Sequence, residues 1–218
     1  MQFQATGVPG VWRLTQLMPY EPVWQAMRDF TEQRQSSTTD QLWVLQHLPV
    51  YTLGQAGKTE HVLNPHHIAV VKSDRGGQVT YHGPGQAVLY MLADLKRTGL
   101  NIREMVQALE QAVIDTLGQY GLSDACRKPG APGVYLPQTS GELAKIAALG
   151  LKVRKGCTYH GVALNVDLDL GPFDGINPCG YEGLTTTSLA QAGVKASCDD
   201  VALKLAGKII EHGQLRVE

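Results

Sequence analysis

Between Gly133 and Leu168 the chain sets three short strand-like segments in succession: GVYL at 133–136, ELAKIAALG at 142–150 and YHGVALNVDL at 159–168. In the last of them His160, Val162, Leu164 and Val166 alternate with smaller or polar residues, the period of a strand. Extended segments so close in sequence satisfy their backbone groups most directly by pairing with one another, so this stretch reads as a meander. Further strands are expected in QLWVLQHLPVYTLG from Gln41, in IAVVK at 68–72 as a buried strand, and in QAVLYML at 86–92. Three helices accompany them. One follows Pro22, with Trp24, Met27, Phe30 and Thr31 at helical spacing. A second runs from Ile102 to Tyr120 behind a capping box of Asn101 and Glu104, with Met105, Leu109, Ala112, Val113 and Leu117 along one face. The third spans Asp199 to Glu211, capped by Ser197 or Asp199, with Val201, Ala202, Leu205 and Ile209 as its stripe.

No repeat or domain-splitting linker interrupts the 218 residues, a length that favours one domain over residues 1–218. With 43% hydrophobic and 18% charged residues the chain is not disordered. Its formal charge of -1 supplies no general basic field for a phosphate backbone, which disfavours a nucleic-acid partner. The start, MQFQATGVPGVWRL, lacks the basic and apolar blocks of a signal peptide, and no run reaches the roughly 18 apolar residues of a membrane span. A soluble, cytoplasmic protein without a membrane partner is expected. The four cysteines, Cys126, Cys157, Cys179 and Cys198, stand 31, 22 and 19 positions apart, which is not a zinc-site spacing, and free thiols follow in a reducing compartment. His47, His61, His66, His67 and His212 show no metal-ligand pattern either, so no metal is expected.

Several constellations could carry chemistry. Arg75-Gly76-Gly77-Gln78-Val79-Thr80-Tyr81-His82-Gly83-Pro84-Gly85-Gln86 combines glycines that let a backbone approach a ligand with side-chain donors, as an anion or thioester site needs, although an ordinary glycine-rich hairpin has the same composition. It lacks both the dinucleotide fingerprint and the GK[ST] of a phosphate loop. Lys145 stands alone in an apolar segment, either on an exposed face or desolvated, where it would serve as a proton acceptor and favour a facing thiolate. Cys179, in Asn177-Pro178-Cys179-Gly180, falls on a tight loop where a thiol can be presented. Cys126 and Cys157 have cations nearby in sequence, whereas Cys198 precedes Asp199 and Asp200 and should be the poorest nucleophile. Any one of the four can equally be a bystander. Tyr81-His82-Gly83 recurs as Tyr159-His160-Gly161, which suggests two segments converging on one pocket; chance recurrence is the rival reading.

Together RGGQVTYHGPGQ at 75–86, KIAALG at 145–150, HGVALNVDLD at 160–169 and INPCGYEG at 176–183 resemble the lipoyl(octanoyl) transferases, in order across roughly residues 40–190. The resemblance implies an α/β fold, a mixed sheet flanked by helices, shared with biotin and lipoate protein ligases. It implies transfer of an octanoyl group from octanoyl-acyl carrier protein to the target lysine of lipoyl domains, those of 2-oxoacid dehydrogenase complexes and of the glycine cleavage H protein, by a monomer using neither ATP nor metal. By the same resemblance Cys179 is the nucleophile and Lys145 its partner. Arg75, Gly76, Gly77, Gln78, Val79, Thr80, Tyr81, His82, Ala148, Leu149, Gly150, Gly161, Val162 and Ala163 would line the acyl pocket, with His160 a further candidate. One thioester replaces another, so activation by ATP is unnecessary, and ping-pong kinetics follow. Backbone N–H groups near Gly77, Gly150 or Gly161 could hold the oxyanion. The alternatives are an ATP-dependent lipoate or biotin ligase on the same scaffold and a binding module with inert cysteines.

Charge is unevenly spread. Between Ala125 and Val166, Arg127, Lys128, Lys145, Lys152, Arg154 and Lys155 face only Glu142, a balance of +5 that leaves -6 elsewhere. Acyl carrier proteins and lipoyl domains are acidic, so Arg127, Lys128, Lys152, Arg154 and Lys155 would guide them; a solvated basic edge is the alternative.

Overall fold

The structure, a computed structural model, describes residues 1–180 and 183–217, the side chain of Cys179 excepted. In chain order its elements are β1 (Gln4–Ala5), β2 (Val11–Arg13), α1 (Tyr20–Gln33), β3 (Gln41–Leu45), β4 (Val50–Leu53), β5 (Ala69–Lys72), β6 (Val79–His82), β7 (Gln86–Leu92), α2 (Leu95–Thr98), α3 (Ile102–Gly118), β8 (Cys126–Lys128), β9 (Ala131–Pro137), β10 (Leu143–Arg154), β11 (Cys157–Asn165) and α4 (Cys198–His212). Among the described residues the main sheet has eight strands in the order β1-β2-β3-β7-β11-β10-β9-β8, and a second sheet has three, β5-β4-β6. Both are mixed: β2 with β3 and β4 with β5 pair parallel, and the other pairs antiparallel.

The expected meander is β9-β10-β11, each strand antiparallel to the next, with Gly150 opposite Gly161. β7 and β11 lie at the centre, and every one of their residues is buried. One face of β7, Ala87, Leu89 and Met91, packs with Met105, Leu109 and Val113 of α3 and Val201, Leu205 and Ile209 of α4. The other, Val88, Tyr90 and Leu92, meets Val23 and Met27 of α1. A strand buried on both faces has no polar face to alternate with, which is why QAVLYML reads as a continuous apolar run. Helices thus flank the mixed sheet on both sides.

The helix signals translate into contacts. The Asn101 side chain accepts from the Arg103 and Glu104 N–H groups at 2.9 and 3.1 Å, and Glu104 accepts from the Asn101 N–H at 2.8 Å, a complete capping box. Ser197, not Asp199, caps α4, accepting from the Asp200 N–H at 3.1 Å. Pro22 falls inside the first turn of α1, which begins at Tyr20. The run after Gln41 supplies two sheet strands as expected, β3 in the main sheet and β4 in the small one. One expectation is corrected: the IAVVK strand is not buried, since among the described residues β5 pairs only with β4, and Ala69, Val70 and Lys72 are exposed. Among the described residues no helix is long and apolar enough to cross a membrane.

Candidate active site

Where the small sheet meets the main one, a cleft encloses about 500 Å³, part of it open to solvent. One wall is the loop and strand from Arg75 through Gly77, Gln78, Val79 and Thr80 to His82; the other is Ala148, Leu149 and Gly150 of β10 with His160, Gly161, Val162 and Ala163 of β11. The Gly76 N–H donates to the Leu151 carbonyl at 3.0 Å and sews the walls together. A Cβ on Gly150 would stand 2.6 Å from the Gly76 carbonyl oxygen, so only glycine permits that approach. Two of the expected lining residues stand elsewhere. Gly76 serves as this seam and is not on the wall, while the Tyr81 ring packs against Tyr51 and Phe173 at 5.6 Å in each case, within the core of the small sheet. Strand alternation explains the latter, since Thr80 and His82 take the cleft side of β6. Arg75 is buried and directs its guanidinium onto β4 and its own loop: to Thr52 Oγ1 at 2.9 Å and to the carbonyls of Thr52, Gly76 and Gln78 at 2.5, 2.9 and 2.7 Å.

Three lining residues, Tyr20, Val88 and Tyr90, were not anticipated. Pairing of β7 with β11 sets Tyr90 opposite Gly161 and Val88 opposite Ala163, a register the sequence does not display. Tyr20 opens α1 and stacks with both recurring histidines, its ring 6.1 Å from His82 and 6.5 Å from His160. The two Tyr-His-Gly segments therefore do converge, through their histidines.

These histidines are buried and neutral. Burial pushes His82 down to about 3, with His47 adding to the effect, and pushes His47 down to about 4. Their tautomers follow from their partners. His82 Nδ1 donates to Gln86 Oε1 at 2.7 Å, because the Gln86 amide nitrogen is itself given to Tyr81 O and Asn165 Oδ1. His47 Nδ1 donates to the Met18 carbonyl at 2.9 Å and Nε2 accepts from the Tyr90 hydroxyl at 2.7 Å. His160 has φ 63°, in the left-handed region, and its Nε2 lies 2.9 Å from Asp74 Oδ1. Burial lowers its pKa and outweighs the pull of Asp74, so we assign a neutral ring donating to the carboxylate. Asp74 is pushed up by burial, yet hydrogen bonds from His160, Tyr159 and Trp24 hold it at about 2.

Lys145 is buried, 4% exposed, which settles the choice between a solvent face and a desolvated position. Its Nζ donates to the Pro132 carbonyl at 3.0 Å and stands 5.2 Å from the Tyr135 ring. The register of β10 against β9 shifts by a β-bulge between Lys145 and Ala147, and backbone bonds from Lys145 N to Thr185 O (2.8 Å) and Thr187 N to Lys145 O (2.9 Å) tie β10 to the segment downstream of Cys179. The backbone of Pro178–Gly180 forms a single 3₁₀ turn. A Cβ on Gly180 would lie 3.2 Å from His61 Nε2 and 3.5 Å from Cδ of Gln78, a cleft residue, so the turn borders the cleft. The Cys179 side chain lies outside the described residues, as do Tyr181 and Glu182 of the same motif.

Cys126, Cys157 and Cys198 are free thiols. Cys198 is pushed up to about 11, by burial first, then by the negative charges of Asp199 and Asp167. Burial also raises Cys157, against the opposing pull of Arg34. The basic stretch is partly neutralised in space: Arg127 pairs with Glu110 at 3.1 Å, and Glu32 of α1 pairs with both Arg154 and Lys155. Among the described residues no group of three or more His, Cys, Asp or Glu is placed to hold a metal ion.

The helix-flanked mixed sheet is the fold of lipoate and biotin protein ligases. The lipoate protein ligase of Thermoplasma acidophilum superposes with a TM-score of 0.71 at 18% identity, covering 94% of this chain and 84% of that one. The biotin protein ligase of Aquifex aeolicus, solved with biotin and ATP, does so at 0.61 and 15%, covering 94% and 70%. The chain belongs to the family of the lipoyl protein ligase A/B catalytic domain, which it matches over residues 19–210. An octanoyltransferase of Bordetella petrii is 61% identical over 198 residues, 90% of this chain and 93% of that relative.

Proposed function

We propose that the protein is an acyltransferase that moves an octanoyl group from octanoyl-acyl carrier protein to the acceptor lysine of lipoyl domains, by way of a thioester on Cys179. The observation that carries this reading is the cleft: Ala148, Ala163 and Val88, paired side by side on one face of the main sheet, offer an alkyl chain an apolar bed, and the cleft borders the Cys179 turn through Gln78. Each buried CH₂ contributes about 0.8 kcal/mol. In the first half-reaction the Cys179 sulfur attacks the donor carbonyl, a new C–S bond forms, the old one breaks, and the carrier thiol leaves with a proton. In the second, the acceptor amine attacks the same carbon, the C–N bond forms, and the Cys179 C–S bond breaks as the amine gives up a proton. Lys145 is the base we assign to these proton movements. One thioester replaces another and an amide ends the sequence, so no ATP, metal or other cofactor enters.

Incubation of the whole chain with octanoyl-acyl carrier protein is expected to add one octanoyl group, mapped to Cys179 by mass spectrometry of peptides, and Cys179→Ala to remove both the adduct and turnover. An undiminished rate in Cys179→Ala overturns the reading. The fold likeness to a ligase solved with ATP favours one rival, for which ATP-dependent release of pyrophosphate is the sign. Octanoyl binding without transfer to a lipoyl domain would mark a binding module instead.

A further inference from the structure

Glu110 is a carboxylate on the buried face of α3, beside Leu109 and Val113, and only 6% exposed. A buried carboxylate is costly unless its oxygens are satisfied, so its partners define its role. Oε1 accepts from the backbone N–H of Gly133 at 2.9 Å, and Oε2 accepts from Arg127 Nε at 3.1 Å. Arg127 is in turn fixed to α3 through the Gln107 carbonyl at 3.1 Å and Gln111 Oε1 at 2.9 Å.

The peptide that Glu110 grips by its N–H is the one whose carbonyl, that of Pro132, accepts from Lys145 Nζ at 3.0 Å. In a trans peptide these groups point in opposite directions. The 132–133 plane is therefore clamped between Glu110 on one edge and Lys145 on the other, and linked bonds of this kind reinforce one another. Gly133 makes the space. Its φ is 139°, and a Cβ there would stand 2.7 Å from Lys145 Cε and 3.1 Å from Nζ.

We propose that Glu110 is a positioning residue for Lys145: it fixes the 132–133 peptide on which the lysine nitrogen rests, and Arg127 holds Glu110 in place. This rests on the role given to Lys145 in the proposed function. The decisive comparison is Glu110→Met, which keeps bulk and removes the acceptor, against Glu110→Gln, which keeps an amide oxygen where Oε1 stands. Single-turnover acylation of the full chain by octanoyl-acyl carrier protein reads the rate constant, the donor KM and the burst amplitude separately.

Glu110→Met is expected to lower the rate constant by about 10- to 100-fold, the cost of a misplaced catalytic group. The donor KM should stay within about 2-fold, and Glu110→Gln should recover to within about 3-fold. A merely structural fault would lower the burst amplitude and leave the rate constant of the folded fraction alone. Lys145→Ala, measured alongside, keeps the two readings apart. If it acylates at the parental rate, the role of Lys145 fails; if it is slow while Glu110→Met is as fast as the parent, the positioning role alone is overturned. Should Glu110→Met not fold, Arg127→Met replaces it, at a side chain 40% exposed. About 3-fold slowing is then expected, and an unchanged rate overturns the proposal.

Discussion

His47 and His82 lie side by side with ring centroids 5.7 Å apart, and the fold holds both neutral. In the unfolded chain each binds a proton near pH 6.5, whereas in the folded chain His47 does so at about 4 and His82 at about 3. Between those values the unfolded state carries more protons, so stability rises with pH through the window and is lost as pH falls below about 6.5. Asp74 does not offset this, because its pKa of about 2 leaves it charged in the folded state throughout the same range. At about 1.4 kcal/mol per pH unit for each group, acidification from pH 6.5 to 4.5 is expected to remove several kcal/mol. Denaturant titrations across that range measure it, and His47→Gln should reduce the slope by up to one proton. A flat profile would mean that the rings are charged where they are buried.

At the scale of elements, the two strands that read most alike in sequence, IAVVK and QAVLYML, have opposite environments. β7 is covered by α1 on one face and by α3 and α4 on the other, while β5 is the edge of the small sheet. Val70→Thr, at a residue 43% exposed, is expected to change unfolding free energy by less than about 0.5 kcal/mol. Val88→Thr, at a residue 1% exposed, buries a hydroxyl in an apolar layer and should cost about 1–3 kcal/mol. Paired thermal melts decide between them, and equal losses would place β5 in a covered position. Composition could not make this distinction, because a β-branched run records extended backbone and not what covers it. Where a local device writes itself into sequence, legibility was high: the Asn101 and Glu104 box and the Ser197 cap bond within their own first turn. The bulge at Lys145 left no such mark, since it arises from register against β9.

Over the whole molecule, residues of segments far apart in sequence, 75–82, 148–150 and 160–163, come to line one cleft; the recurring Tyr-His-Gly pointed to two of these segments, while 148–150 came in only through the family resemblance. Tyr20, Val88 and Tyr90 were not legible, because only sheet order brings them there. Charge shows the same contrast between chain and space. The +5 of residues 125–166 is a property of the sequence; in the fold, Glu32 of α1 stands against Arg154 and Lys155, and Glu110 stands against Arg127. A field that steers an acidic partner depends on the charge left after such pairing, and it acts over about 10 Å at moderate salt. Glu32→Gln leaves Arg154 and Lys155 without that carboxylate, and as an exposed ion pair its loss should cost under about 1 kcal/mol of stability. If acidic carrier proteins approach over the β10–β11 hairpin, the variant should lower the donor KM by about 2- to 3-fold at low ionic strength, and the difference should vanish in about 0.5 M salt. Steady-state acylation at the two salt concentrations measures this, and a donor KM indifferent to the substitution would show that the hairpin takes no part in guiding it.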